Sequence, residues 1–219
     1  MSSARISVLG PGVALLAGTG LGVLGPLLEA AANPVAHVAH LILAAGWSWA
    51  ALAFFVGLGC RSRMHSLIFA PIALAAGVMA YYSVKLERGQ FLQAVALEDP
   101  SQGAQVSWAH FLSKIIFWGL AAIFLGLILG LTGNLARSQE AHGTVFRIII
   151  PVVAIVETTM RLRAEGSLQE GITSATWTVT RLVAIAVILF LASRLLIARS
   201  ASKERNSYQP HPIKSDGKD

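Results

Sequence analysis

Six apolar stretches, each about the length needed to cross a bilayer, constrain this chain more than any other feature. A span needs about 20 mostly apolar residues, because each helical residue rises about 1.5 Å through a core about 30 Å thick. The stretches run over about 8–28, 40–60, 64–84, 115–133, 144–162 and 177–198. Only helices and closed barrels satisfy the backbone in lipid, and runs of this length are helical. The expected fold is therefore all-α, an integral membrane bundle of six transmembrane helices over 1–199. The charged segment 200–219, poor in apolar residues, reads as a disordered tail. With 219 residues in all, no large soluble domain fits beside six spans.

The chain is 55% hydrophobic and 13% charged, which is the balance of a membrane protein. Its formal net charge of +6 lies largely in the tail and beside helix ends, so it reads as membrane orientation and not as a nucleic-acid surface. Cys60 is the single cysteine, which excludes an internal disulfide and a multi-cysteine metal site. The first apolar run is span-length, so it reads as a retained helix and not as a signal segment. An N-inside orientation puts Arg5, Arg61, Arg63, Arg137 and the basic tail in the cytoplasm. Lys85, Arg88, Lys114, Arg161 and Arg163 then face outward. The bias favours both termini inside a cell membrane crossed several times.

Within the fifth run, Pro151-Val-Val-Ala-Ile-Val-Glu157-Thr-Thr-Met-Arg161 carries an acid in mid-span. A carboxyl group there costs about 2.5–3.5 kcal/mol on insertion scales, so it should face protein or a watered cavity. Burial favours its protonated form, which makes Glu157 a candidate general acid. Arg161 follows at the i,i+4 spacing of a helical ion pair, and a structural pairing is the competing explanation. Arg181 in the sixth run is a second candidate partner. Pro151 should bend the fifth helix.

The N-inside orientation places Glu29, Asn33, His37, His40, Tyr81, Tyr82, Lys85, Trp177 and Arg181 toward the same non-cytoplasmic half as Glu157 and Arg161, where six helices are expected to enclose one cavity, polar at the mouth and apolar and aromatic below. His37 and His40 share a helical face, but without a third ligand nearby ordinary hydrogen bonds are the better assignment than metal. Trp47 and Trp49 lie near the middle of the second run, where an interfacial belt does not explain them. Tyr81 and Tyr82 are adjacent, about 100° apart on a helix, so one of them is expected to face a central cavity. The long connection 85–114 holds Glu98-Asp99-Pro100, which reads as a turn or cap. A short interfacial helix over 89–97 is expected within it. Gly18/Gly22 and Gly126/Gly130/Gly133 read as close helix packing.

The pattern Trp49…Phe54-Phe55-Val-Gly57…Arg61, then Gly77…Tyr81-Tyr82, the glycines of the fourth helix and Glu157 in the fifth resemble a family of small bacterial six-helix membrane proteins of largely unknown function. Members often carry Asn-Ser before the second-helix tryptophan; here that stretch is apolar, and Ser48 follows Trp47. Some proteins of this kind look like membrane-bound terpene cyclases of the drimentine type. That resemblance implies proton-initiated cyclisation of a linear prenyl chain on a small molecule, without a metal or other cofactor. The residues are compatible with that chemistry, with Glu157 as the acid and His40, Tyr82 or water as the final base. Trp47, Trp49, Tyr81, Trp118 and Trp177 supply faces that stabilise cations, with Arg161 and Arg181 as polar contacts. The competing classes are a proton-coupled small-solute transporter with Glu157 as relay, and a non-enzymatic membrane subunit. No phosphate-binding glycine loop is present to suggest a nucleotide site.

Overall fold

The structure is a computed structural model and describes residues 5–31, 33–94, 104–138, 141–165 and 171–207. It is all-α apart from one short hairpin. In chain order the elements are α1 (Arg5–Glu29), α2 (Pro34–Ala44), α3 (Gly46–Gly59), α4 (Arg63–Glu87), β1 (Leu92–Ala94), β2 (Ala104–Val106), α5 (Trp108–Leu135), α6 (Ala141–Arg147), α7 (Ile149–Glu165) and α8 (Gly171–Ser207). Among the described residues, α1, α4, α5 and α8 are each long and apolar enough to cross a membrane. Counting α2 and α3 as one bent span brings the number to five. This is compatible with a multi-pass membrane protein.

Two expected spans are broken. The second begins at Pro34, capped by Asn33 Oδ1 accepting from Ala36 N–H at 2.8 Å, and stops at Ala44. It restarts at Gly46 with a bend of 60°. Trp47 and Trp49 therefore sit in the first turn of α3, not in the middle of a continuous helix. The fifth breaks at Ile148, and Pro151 falls in the first turn of α7. Proline is tolerated there because the first N–H groups of a helix lack intrahelical partners anyway. So the expected bend is a restart, and α7 alone, at 17 residues, is shorter than a full span.

Three smaller expectations change. The interfacial helix expected over 89–97 gives way to strand β1, paired antiparallel with β2 in the register Leu92 with Val106. Gly89, with φ of 72°, makes the left-handed turn that ends α4 and redirects the chain. Trp108 and His110, expected in the connection, belong to the first turn of α5. The helix expected to end near 198 runs on to Ser207, since Lys203, Glu204 and Arg205 are good helix formers. Glu98, Asp99 and Pro100 lie outside the described residues, as does 208–219.

Glycines set the helix pairing. A Cβ on Gly18 would overlap the carbonyl of Ala73, and one on Gly22 the carbonyl of Gly77. The matched increase of both numbers makes α1 and α4 parallel. Lys85–Glu29 at 3.7 Å and the bond from Arg88 to the Pro26 carbonyl close the same ends. Gly57 meets Gly130, and Asn134 Nδ2 donates to the Cys60 carbonyl at 2.7 Å, so α3 and α5 are parallel too. Gly126 meets Pro71 and Gly130 meets Ser66, so α5 runs against α4. The core lies between α3, α4 and α5, around Ala53, Ala70, Leu74, Val78, Ala122 and Leu129.

Candidate functional site

The site grows out of the break between α2 and α3. Breaking a helix leaves carbonyls and N–H groups that need partners. On the α2 side, Ser48 Oγ donates to the Ile42 carbonyl at 2.5 Å and Trp49 Nε1 to the Leu43 carbonyl at 3.1 Å. On the α3 side the N-cap is Ala45, which has no side chain to offer. The missing acceptor comes from α7. Glu157 Oε2 accepts from Trp47 N–H at 2.7 Å, and Oε1 from Gly46 N–H at 3.0 Å. Oε1 also accepts from Arg161 Nε at 3.1 Å and Nη2 at 3.0 Å. Glu157 is thus an N-cap delivered from 110 residues away, at the positive end of the helix dipole. All four partners are N–H donors, so both carboxyl oxygens act as acceptors.

The Glu157–Arg161 pair forms one end of a partly open cavity of about 450 Å³ lined by α3, α4, α5 and α7 and by Ala44 at the end of α2. Its side chains are 21% and 34% exposed, so the pair is partly shielded and not sealed off. Trp49, Tyr81, Tyr82 and Trp118 wall the middle. Leu74, Val78, Leu125 and Leu129 line the far part. Trp49 meets Tyr81 edge-on at 6.2 Å, and Tyr81 meets Tyr82 at 5.2 Å. Tyr82 continues to Phe91 at 6.2 Å, which ties the base of the hairpin to the cavity wall.

Of the residues expected in the site, Glu157, Arg161, Trp49, Tyr81, Tyr82 and Trp118 come together around this one cavity. Both tyrosines line it, against the expectation that only one would. The wall of α4 spans the gap from α3 to α5, wide enough to take two neighbouring side chains 100° apart. The other four stand outside it. His40 Nδ1 donates to the Gly25 carbonyl at 2.8 Å, a packing bond between α2 and α1. Trp47 contributes its backbone N–H, and its indole Nε1 is buried without a partner. Trp177 is 1% exposed and carries the Arg161 guanidinium on its ring face at 4.7 Å. Among the described residues Glu157 pairs with Arg161 and not with Arg181. His37 bonds Thr173 at 3.2 Å, and no cluster of three metal-ligating side chains occurs among the described residues.

Sequence reasoning missed the donors of Gly46 and Trp47, and it named none of the aliphatic residues that line the expected apolar part of the cavity. The lining had a signal. Leu74, Val78, Tyr81 and Tyr82 recur at i, i+4, i+7 and i+8, and Trp118, Ala122, Leu125 and Leu129 follow the same period on α5.

The class defined by these features is an all-α protein with several bilayer-length helices and an aromatic-walled cavity closed at one end by a carboxylate–guanidinium pair. Searches against family models, curated proteins and solved structures match nothing.

Proposed function

We propose that this chain is a six-pass membrane isomerase of the terpene-cyclase type, which folds a linear prenyl chain carried on a small molecule into rings. The observation that carries the proposal is the cavity itself. A carboxyl group stands at one end of a space walled by Trp49, Tyr81, Tyr82 and Trp118. A prenyl chain needs apolar burial. A carbocation needs aromatic faces that stabilise it without attacking it, and a proton-initiated reaction needs a carboxyl group within reach.

Six crossings are supported by the direction of the chain. Because α1 and α4 run parallel, α2–α3 carries the chain back across between them. Arg147 Nε donates to the Ala136 carbonyl at the end of α5, while Glu157 meets the start of α3. Thus α6–α7 crosses again, and α8 returns. The basic residues favour both termini on the cytoplasmic side, with the Glu157 end of the cavity facing outward.

In the reaction, protonated Glu157 gives its proton to a terminal alkene. The alkene π pair forms the new C–H bond and leaves a tertiary cation. The π pair of the next alkene closes a C–C bond, and the last cation loses a proton to the Glu157 carboxylate or to water. Nothing is oxidised and mass is unchanged. The Gly46, Trp47 and Arg161 donors stabilise the carboxylate left after transfer. His40 stands outside the cavity; Tyr82 is the residue placed to orient the closing chain.

The test is a membrane-fraction assay with linear prenylated compounds, read by mass spectrometry. Wild type should yield a product of unchanged mass. Trp118→Ala, which leaves the Glu157 contacts intact, should lower its rate at least tenfold, and Glu157→Gln should abolish it. Folded wild-type protein that converts no compound across prenyl lengths would overturn the proposal.

A further inference from the structure

The cavity has a polarity. At one end stand Gly46, Glu157 and Arg161; at the other Leu74 and Leu129. Between them α4 advances from Leu74 to Tyr81 and α5 from Trp118 to Leu129, roughly 10–16 Å of helix at 1.5 Å per residue. A volume of 450 Å³ holds roughly 15 non-hydrogen atoms at about 30 Å³ each, the share of a small molecule in a liquid.

Arg161 is poised as a head-group reader. Its Nε and Nη2 are engaged by Glu157, and stacking on Trp177 fixes the plane of the guanidinium. No described residue hydrogen-bonds Nη1. Glu157 balances the guanidinium charge, and the α3 N-terminus adds about half a positive charge at the same end. The surplus favours an oxygen acceptor and opposes a cation.

We infer that the cavity binds an amphiphile of about 15 non-hydrogen atoms in all, with an oxygen-acceptor head group on Arg161 Nη1 and an apolar tail ending between Leu74 and Leu129. The inference rests on reading this cavity as the substrate site, and it is independent of whether cyclisation follows. Acceptor heads include carboxylates, phosphate monoesters and neutral carbonyls, all of which present an oxygen to N–H.

The test uses purified full-length protein in nanodiscs of uncharged lipid and two probe sets: dodecyl tails with four heads (carboxylate, phosphate, methyl amide and ammonium), and carboxylates with tails from hexyl to tetradecyl. Binding is read by tryptophan fluorescence, with bromine at the tail end as quencher. The acceptor-headed probes should bind at least tenfold more tightly than dodecylammonium, and the order among them identifies the head. Arg161→Lys keeps the charge but loses the fork, and should cost the acceptor heads about tenfold while leaving dodecylammonium unchanged. Leu129→Trp fills the deep end and should move the preferred tail from dodecyl to octyl or shorter. Equal binding of all four heads, or head preference unaltered in folded Arg161→Lys, overturns the inference. Tail preference unchanged in Leu129→Trp overturns the orientation. Tight, head-selective binding with no turnover of any prenyl compound would remove the cyclase proposal and leave this inference standing.

Discussion

Replacing Glu157 with glutamine keeps the shape of the side chain and removes its ability to accept at both ends. With the amide oxygen at the Oε1 position, the NH₂ group faces Trp47 N–H, now 2.7 Å from Oε2. Turned over, it faces Gly46 N–H and Arg161. A donor meets a donor either way. One charge-assisted bond is lost outright, worth about 1.5–3 kcal/mol. The Arg161 pair adds less than about 1 kcal/mol, because its side chains are one-fifth to one-third exposed and solvent screens them. The total is about 2–4 kcal/mol. For a chain of this length that is a fall in Tm of roughly 4–16 °C, measurable by scanning fluorimetry in detergent. Arg161→Gln leaves the Gly46 and Trp47 contacts in place and should lower Tm by only about 2–4 °C. An unchanged Tm in Glu157→Gln, or a larger fall in Arg161→Gln than in Glu157→Gln, would refute the view that Glu157 holds the broken helix.

Other substitutions probe the packing that builds the cavity. Gly22→Val drives two methyl groups and a Cβ into the Gly77 carbonyl and should abolish recovery of monodisperse protein, since α1 cannot withdraw without breaking its seam with α4. Asn134→Leu leaves the Cys60 carbonyl to Arg137 alone, 3.3 Å away, and should cost about 1–2 kcal/mol in denaturant titration. Phe91→Ala removes the ring that meets Tyr82, His110 and Phe111, and should cost about 3 kcal/mol.

The bundle was legible because lipid imposes it: a backbone that cannot bond to lipid folds into helices wherever apolar runs are long enough. The Glu157–Arg161 pair was legible because its spacing lies on one helix. The glycine seams were legible because only close backbones need them, as at Gly18 and Gly22. What was hidden is what depends on contacts distant in sequence. Nothing in Leu43-Ala-Ala-Gly46 forces a helix to stop; alanine is the best helix former. The restarted helix is capped by a carboxylate 110 residues later, a contact no local pattern announces. The displacement of Trp47 from the cavity follows from that break, and so does its backbone contact with Glu157. Adjacent tyrosines both facing the cavity depend on the distance between α3 and α5, which no local pattern encodes.

The topology can be decided with the one cysteine the chain carries. Cys60 lies between α3 and α4, half-buried beneath Asn134 and Arg137, whose side chains donate to its carbonyl. If α2–α3 crosses the bilayer as a bent pair, Cys60 sits on the side of the N-terminus, with Arg61, Arg63 and Arg137, and the basic bias makes that side cytoplasmic. An impermeant maleimide added to intact cells should then leave it unlabelled, and permeabilised cells should label. Burial raises the thiol pKa, so the reactive thiolate grows as pH rises past the ordinary range, and labelling should be faster at pH 9 than at pH 7. A cysteine placed at Glu87, at the far end of the parallel pair α1 and α4, should behave oppositely and label in intact cells. Equal labelling of both sites from outside would mean that α4 does not span. Labelling of Cys60 alone from outside would keep the crossings and invert the protein, carrying the Arg161 end of the cavity to the cytoplasm. Labelling of one site alone therefore fixes the side of the bilayer on which the cavity's polar end lies, because that end and the end of α4 near Lys85 lie together.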